Sequence, residues 1–435
     1  MSGFRLPEFA SRRLPNGARL YAAEYHALPL VDIEVILPAG GSSDPLGREG
    51  LADMVAGLLH KGAGARPARE LAEAMDFVGG SLGAAADQDG TRVTAEFLAQ
   101  DLDLCLELLS DVLIRPGLAE EEVERARAET LAELQAAREN PGLMASRRFV
   151  ERIYPDHPYG HATAGREASV AAITREDVLA FYRSTAVPDR SIVVAVGDFD
   201  AAGMLDRMAQ RLAPWERGGG APQAVPPPRP AAARRIVLVD KPDATQSQIR
   251  IGGLGMKRTD KDFVPIHVAN TILGGGFTSR LVQEVRVKRG LTYGISSRLY
   301  PLVEQGPFLV STFTKNATTR ETIEVTLGLI DAWRREGATA DELDKAKRYI
   351  RGKFAVGHQA PEALADAMGE IAFYDLPEDY YNNYLDWIDA VTLDDVRRVA
   401  ALRFPSDQAV ILVLGRASEI LKDLETLGPV TVEAL

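Results

Sequence analysis

The chain repeats one pattern on either side of a Gly- and Pro-rich segment, and this repeat constrains its fold more than any other feature. In the first half, Thr174 precedes a predicted helix with acidic residues in its first turn, and the apolar run Ile192–Val196 follows. In the second half, Thr392 begins the same pattern, and the apolar run Val410–Leu414 follows. Because threonine is a favourable N-cap and acidic side chains suit the first turn of a helix, both halves predict a helix followed by a buried strand.

The segment between the repeats predicts a linker. Residues 218–233 contain three consecutive glycines and five prolines, and such a segment cannot pair in a sheet. A chain of 435 residues is also too long for one hydrophobic core, because single cores stop growing near about 250–300 residues. We therefore predict an N-terminal domain at 1–217, a linker at 218–233 and a C-terminal domain at 234–435.

The pattern inside each half mixes strands with helices. Leu30–Leu37 and Thr91–Phe97 alternate apolar and polar residues as strands do, and Ala119–Arg138 and Ala340–Val356 have helical periodicity. The fold class predicted is α+β, with two homologous domains. We expect each domain to be a mostly antiparallel sheet with helices packed on one face.

Composition excludes several classes of partner. The chain has 50 Lys and Arg against 62 Asp and Glu, a formal net charge of −12, which argues against binding to nucleic acid or to anionic membrane surfaces. The single cysteine, Cys105, lies in an apolar run and is interpreted as a buried hydrophobic residue. The first residues lack the apolar stretch of a secretory signal, so we expect a cytoplasmic protein, or a periplasmic one if a leader has been removed.

The segment Gly50–Gly62 predicts a helix with two distinct faces. Asp53, Ala56, Gly57 and His60 are spaced three and four residues apart, and so they share one face. The opposite, buried stripe consists of Leu51, Met54, Val55, Leu58 and Leu59.

This helix resembles the zinc helix of the pitrilysin (insulinase) family of zinc peptidases, whose domains have a LuxS/metallohydrolase-like fold. In that family a His-x-x-Glu-His motif supplies two zinc ligands and a general base, and it precedes a Lys-Gly turn. The matching positions in this chain are Asp53, Ala56 and Gly57, so both histidines and the base are absent. Glu133 matches the family's third ligand. The resemblance implies a degenerate zinc site with no catalytic residue and no metal.

A second part of the resemblance lies in the C-terminal half. The run Gly274–Leu281 leads into a predicted helix that ends near Arg289 with Gly290 as its C-terminal cap, and a strand is expected to begin at Leu291. In the family, an arginine and a tyrosine seven residues apart contact the substrate, and Arg286 and Tyr293 match them. The resemblance implies that these two side chains bind a peptide carbonyl, since both carry hydrogen-bond donors.

The resemblance as a whole implies an inactive subunit. We expect this chain to bind extended peptide substrates as the partner of a homologous subunit that carries zinc, with no cofactor of its own. One alternative is a homodimer of the same fold that binds peptides or has a structural role. Another alternative is a hydrolase with an atypical metal site formed by Asp53, His60 and Glu133. We consider it weaker, because His60 lies two helical turns from Asp53 and is poorly placed to share one metal ion with it.

Overall fold

The computed structural model describes residues 4–218 and 224–435, so residues 219–223 of the predicted linker lie outside the described part of the chain. The chain forms two compact units, and each unit contains segments from both halves of the sequence. Unit 1 consists of Met1–Gln135, His161–Ala224 and Ala355–Asn382. Unit 2 consists of Ala136–Gly160, Val225–Phe354 and Asn383–Leu435.

The first half of the chain contains eight strands and eight α-helices within its described residues. The strands are β1 Phe9–Arg13, β2 Arg19–Glu24, β3 Leu30–Leu37, β4 Gly62–Ala63, β5 Arg66–Pro67, β6 Ser81–Ala86, β7 Thr91–Leu98 and β8 Ile192–Gly197. The helices are α1 Leu51–Leu59, α2 Ala68–Val78, α3 Leu102–Ile114, α4 Glu120–Ala137, α5 Pro141–Ile153, α6 Glu167–Ala172, α7 Arg175–Thr185 and α8 Ala201–Leu212.

The described second half contains six strands and seven α-helices. The strands are β9 Arg235–Asp240, β10 Gln246–Leu254, β11 Ile295–Leu299, β12 Pro307–Lys315, β13 Val410–Gly415 and β14 Val430–Ala434. The helices are α9 Phe263–Asn270, α10 Thr319–Glu336, α11 Ala340–Gly357, α12 Pro361–Phe373, α13 Tyr380–Ala390, α14 Leu393–Arg403 and α15 Ala417–Glu425. This half also contains two π-helical segments, Thr271–Gly275 and Val282–Lys288.

Unit 1 is built on a six-stranded sheet in the order β1-β2-β8-β3-β7-β6. Only β2 and β8 run parallel, and the other neighbours are antiparallel. One face packs on α3 and α8 through the main apolar core, which includes Ile33 and Val35 of β3. The other face carries α12, which comes from the second half of the chain. Because both faces are covered, every residue of β3 after Leu30 is buried.

Unit 2 has the equivalent sheet, in the order β11-β12-β10-β13-β9-β14. Its strands β13 and β14 both run parallel to β9, and the remaining pairs are antiparallel. Helix α5, from the first half of the chain, packs on β10 and β13 through Ala145, Phe149 and Ile153. The two halves therefore exchange one helix each, a feature that the sequence pattern does not reveal.

Most of the local predictions are confirmed. The strands predicted at 30–37 and 91–97 are β3 and β7, and the two long predicted helices are α4 and α11. Thr174 and Thr392 cap α7 and α14, and each forms a capping box with the aspartate three residues later. The α+β fold class is also confirmed, but helices on one face only are not, because α12 covers the face of the unit 1 sheet opposite α3 and α8. No helix in the described part of the chain combines the length and apolarity that a bilayer crossing needs.

One prediction near the candidate site is wrong, because the strand expected at Leu291 begins only at Ile295. Gly290 does end the helix, with a positive φ of 63°. However, the Leu291 N–H donates back to the Val285 carbonyl, and Thr292 Oγ1 accepts from the Gly294 N–H. These bonds hold residues 291–294 in an irregular turn, so Tyr293 lies in a loop rather than at a strand start.

Candidate functional site

The degenerate metal helix is α1 of unit 1. The side chain of Asp44 caps the start of this helix, because its two carboxylate oxygens accept hydrogen bonds from the N–H groups of Gly50 and Ala52, both at 2.8 Å or less. The buried side consists of Leu51, Met54, Val55, Leu58 and Leu59, as the periodicity predicts. This stripe packs into a core that also includes Val123 and Leu134 of α4. Helices α1 and α4 therefore share one core, and this packing brings the two predicted site segments together.

The structure brings Asp53 and Glu133 close enough to interact. Burial raises the pKa of Asp53, and the nearby negative charge of Glu133 raises it further. Glu133 itself is exposed on α4. Ala56 is buried and offers no donor atom, while at Gly57 an added Cβ would meet no atom within 4 Å. The position of the second family histidine is thus open space.

These residues do not fit a zinc ion in the manner of the family. Zinc sites of this kind need three protein ligands, and here two carboxyl groups face each other without a histidine. Within residues 4–218 and 224–435, no three His, Cys, Asp or Glu side chains are grouped as a metal site requires. His60 does not complete the pair: burial and the adjacent Lys61 lower its pKa, and its Nδ1 is buried without a hydrogen-bond partner.

An unprotected sheet edge lies beside α1. Strand β6 is the edge strand of the unit 1 sheet, where β7 is its one strand neighbour among the described residues, and α1 packs against it. Its residues are Ser81, Leu82, Gly83, Ala84, Ala85 and Ala86, so it carries no charged side chain and no proline. Edge strands are ordinarily protected by such residues, because their free N–H and C=O groups can pair with another chain.

The predicted substrate pair lies in unit 2, where Arg286 is in the π-helical segment and Tyr293 in the turn that follows. The Arg286 guanidinium carbon lies 4.7 Å from the centroid of the Phe277 ring. Phe277 and Tyr293 are unusually exposed, at 73% and 84%. Among the described residues, no hydrogen bond or cation–π contact joins Arg286 to Tyr293. Phe277 was not predicted, although its place after three glycines could have drawn attention to it.

Arg286 differs from the other cations of its segment in having no counterion. Lys288 and Arg289 both pair with Glu284, at 2.9 and 3.1 Å. Arg280 forms a bidentate pair with Glu342, at 2.6 and 2.7 Å, and these bonds lower the Glu342 pKa to about 2 even though burial opposes the shift. Among the described residues, the Arg286 side chain has neither an ion pair nor a hydrogen bond.

A cavity of about 590 Å³ lies beside this helix, between the 276–288 segment and α11. Two basic residues that line this cavity have counterions: Arg280 pairs with Glu342, and Lys288 pairs with Glu284. The free guanidinium of Arg286 is not part of the cavity lining. The unit 2 site is therefore an exposed surface formed by Phe277, Arg286 and Tyr293, not the neighbouring cavity.

Comparison with known families matches both halves of the chain. Residues 22–167 match the model for insulinase, peptidase family M16, and residues 172–350 match the model for the peptidase M16 inactive domain. An uncharacterized zinc protease of Mycobacterium tuberculosis is 28% identical over 392 residues, which is 89% of each chain. A protein of Helicobacter pylori described as a non-peptidase homolog is 22% identical and covers 86% of each chain.

Solved structures share the fold. A crystal structure of a peptidase M16 inactive domain from Pseudomonas fluorescens superposes with a TM-score of 0.89 at 27% identity, over 94% of this chain and 98% of that one. The periplasmic protease PqqL of Escherichia coli gives a TM-score of 0.81 at 16% identity, over 96% of this chain but only 46% of its own. Together with the two family models, these matches span both halves, and the chain belongs to the insulinase family, peptidase family M16, with Asp53, Ala56 and Gly57 at the positions that match the His-x-x-Glu-His motif.

Proposed function

We propose that this chain is the substrate-binding subunit of a heterodimeric zinc peptidase, in which a homologous partner subunit supplies the zinc and the catalytic base. The observation that carries the proposal is the free guanidinium of Arg286, which is held over Phe277 while its neighbouring cations are paired. A positioned guanidinium with unused donors is suited to bind a peptide carbonyl or carboxylate. Tyr293, exposed in the next turn, adds a phenol donor.

Strand β6 supports the peptide-binding part of the proposal. An extended peptide can add to a sheet edge through main-chain hydrogen bonds, and small side chains on the edge strand leave room for those of the peptide. Three consecutive alanines and a glycine give β6 this character. The substrates we propose are therefore unfolded or extended peptides, which are bound mainly through their backbones.

The partner is proposed from the unequal match with PqqL. Almost all of the present chain aligns with PqqL, whereas more than half of PqqL lies outside the alignment. The remainder is long enough for a second two-domain part of similar size. We propose that in the present case this second part is a separate, zinc-bearing homologue.

A homodimer that binds peptides without cleaving them is the second candidate. It would use the same edge strand and the same Arg286 surface to bind the peptide.

Peptide hydrolysis by reconstituted mixtures tests the function. The purified chain, its nearest zinc-motif homologue and their mixture are assayed with unstructured peptides and zinc. We expect activity in the mixture to exceed the sum of the separate activities and to be at least tenfold lower with Arg286→Ala. The matched control is Arg289→Ala, because Arg289 lies in the same segment but is paired with Glu284.

Each outcome distinguishes the candidates. Equal loss with Arg286→Ala and Arg289→Ala would assign the effect to general charge, which would contradict a specific role for Arg286. Peptide binding without hydrolysis, together with a self-associated species in sedimentation and no complex with the homologue, would favour the homodimer. Chelator-sensitive hydrolysis by the chain alone would overturn the assignment as a non-catalytic subunit.

A further inference from the structure

Helix α12 docks on the unit 1 sheet over two buried acidic side chains. Asp32 and Glu34 of β3 are only 4% and 1% exposed. Glu34 reaches the helix backbone, since a Cβ added at Gly369 would overlap Glu34 Oε2. That oxygen is buried without a hydrogen-bond partner, while Oε1 pairs with Arg92. Burial of two carboxyl groups under a helix is costly unless each is paired or neutral.

The surroundings of these two residues are mostly acidic. The carboxyl groups that interact electrostatically with one another or with Tyr374 around this helix are Asp32, Glu34, Asp87, Asp89, Glu96, Glu362, Asp366 and Glu370. Two arginines contact this cluster or the helix: Arg92 pairs with Glu34, and Arg19 donates to the Ala372 carbonyl at 3.1 Å. On the opposite face of β3, the charge of Asp32 acts on the buried Cys105 thiol, and Arg207 also acts on that thiol. Asp87, Glu96, Glu362 and Asp366 are exposed and hydrated, but their negative charges still disfavour ionisation of the buried Asp32 and Glu34.

The direction of the pKa shifts agrees with this geometry. Burial raises the pKa of Asp32 to about 7, and the charges of Glu362, Glu96, Asp366 and Glu34 act in the same direction. Burial also raises the pKa of Glu34 to about 7, although Arg92 opposes the shift.

We propose that α12 is a pH-dependent docking helix, which is held on β3 and β8 while Asp32 and Glu34 carry protons and loosens as they ionise. The chain enters the segment Ala355–Asn382 from unit 2 and returns to unit 2 after it. Release of α12 therefore converts this whole segment into a connector and exposes the β3–β8 face of unit 1.

Helix α5 provides an internal comparison. It docks on the unit 2 sheet over Arg250, which donates to the Gly142 carbonyl at 2.7 Å and to Ser146 Oγ at 3.0 Å. Burial lowers the pKa of Arg250 only to about 10, so its charge is constant from pH 5 to 8. Docking of α5 should therefore be independent of pH in the range where docking of α12 changes.

The sign and size of the effect follow from proton linkage. A carboxyl with a pKa of about 4 when released and about 7 when docked favours docking at low pH. Each such group then raises the opening constant of α12 by up to about tenfold per pH unit between pH 4 and 7, with a plateau above pH 7. Because the groups share neighbours, we expect a combined increase of at least tenfold from pH 5 to pH 7.

Hydrogen exchange of the full chain tests the proposal. Protection of peptides covering 361–373 and 141–153 is measured from pH 5 to 8, with correction for the intrinsic exchange rate. We expect the opening constant of α12 to rise at least tenfold up to pH 7 and that of α5 to remain constant. In the double variant Asp32→Asn/Glu34→Gln, the slope for α12 should disappear and protection should remain high at pH 7. The exposed control Glu73→Gln should retain the slope.

Three outcomes would overturn the proposal. The first is equal protection of α12 at all pH values, and the second is an equal slope in α12 and α5, which would indicate a global effect. The third is an increase of α12 protection by magnesium or calcium at constant pH, which would make the acidic cluster a cation site. If the double variant fails to fold, as judged by loss of α5 protection, the single Glu34→Gln variant replaces it, with half or more of the slope expected to be lost.

Discussion

Glu34 and Arg250 occupy equivalent positions in the two sheets. Glu34 pairs with Val194 of β8 and Arg250 with Leu412 of β13, and both partners lie three residues before the glycine that ends their strand. Each side chain is buried beneath the helix that its unit receives from the other half of the chain. Each unit therefore has a buried ionisable residue at this place in its sheet, acidic in unit 1 and basic in unit 2.

Removal of the Arg250 side chain should weaken the docking of α5. Its guanidinium satisfies the carbonyls of Gly142, Ile249 and Thr312, and unsatisfied buried acceptors cost about 1–3 kcal/mol each. Relief of the buried charge offsets part of this loss, so we expect Arg250→Ala to lower the free energy of unfolding by about 2–3 kcal/mol. Urea denaturation measures the change. Arg298→Ala, on the exposed side of edge strand β11, should change stability by less than about 0.5 kcal/mol, and similar values for both variants would contradict the docking role.

The stability of unit 2 should fall in acid because of His267. Burial lowers the pKa of this histidine to about 4, and its Nδ1 lies 2.5 Å from the Tyr384 hydroxyl. Since the unfolded chain binds a proton near pH 6.5 and the folded chain does not, stability is lost as the pH falls from 6.5 to 4. The full loss is about 3 kcal/mol.

A His267→Gln variant isolates this contribution. We expect the difference in unfolding free energy between the wild type and His267→Gln to decrease as the pH falls from 6.5 to 4.5. The exposed His26→Gln should not remove the loss in acid, because the neighbouring Asp198 and Glu24 raise the His26 pKa, and a raised histidine pKa favours the folded state at low pH. Parallel curves for the wild type and His267→Gln would show that His267 does not titrate on unfolding.

Cys105 should be inert in the folded protein. It is fully buried in α3, and burial raises the pKa of its thiol to about 12, so the reactive thiolate is scarce at neutral pH. A chromogenic disulfide reagent should modify one thiol per chain in denaturant and less than a tenth of that in native buffer over the same time. Rapid modification of the native protein would show that the α3 core opens readily, in conflict with its complete burial.

Local features of the fold could be predicted from the sequence because local interactions determine them. The Thr174 and Thr392 capping boxes are each complete within four residues, and the bounds of β3 follow from its apolar residues. By contrast, Asp32 and Glu34 looked like the polar side of a half-exposed strand. Their burial depends on α12, which follows β3 by more than 300 residues, and no local pattern indicates which sheet that helix covers.

The candidate site was predictable to a similar extent. The absence of the zinc motif at Asp53, Ala56 and Gly57 is visible in the sequence, whereas the proximity of Asp53 and Glu133 requires the packing of α1 on α4. The position of Tyr293 was misjudged because Thr292 and Leu291 form turn bonds that strand propensity does not indicate. The contact of Phe277 with Arg286 depends on the bend after Gly276, and so it was missed.

Restoration of two histidines should restore zinc binding. At Gly57 an added side chain meets no atom within 4 Å, and Asp53 already lies near Glu133. Two histidines one helical turn apart with a glutamate opposite form a zinc ligand set of the kind used by peptidases.

We therefore expect Asp53→His/Gly57→His to retain one zinc ion per chain after dialysis, as measured by metal analysis. Glu133→Gln in this background should weaken zinc binding at least tenfold, whereas Glu124→Gln, nearer the start of α4, should not. If zinc binding by the double variant were equally strong with and without Glu133, the two helices would not present these positions to a common metal, and the assignment of Glu133 as the third-ligand position would be wrong.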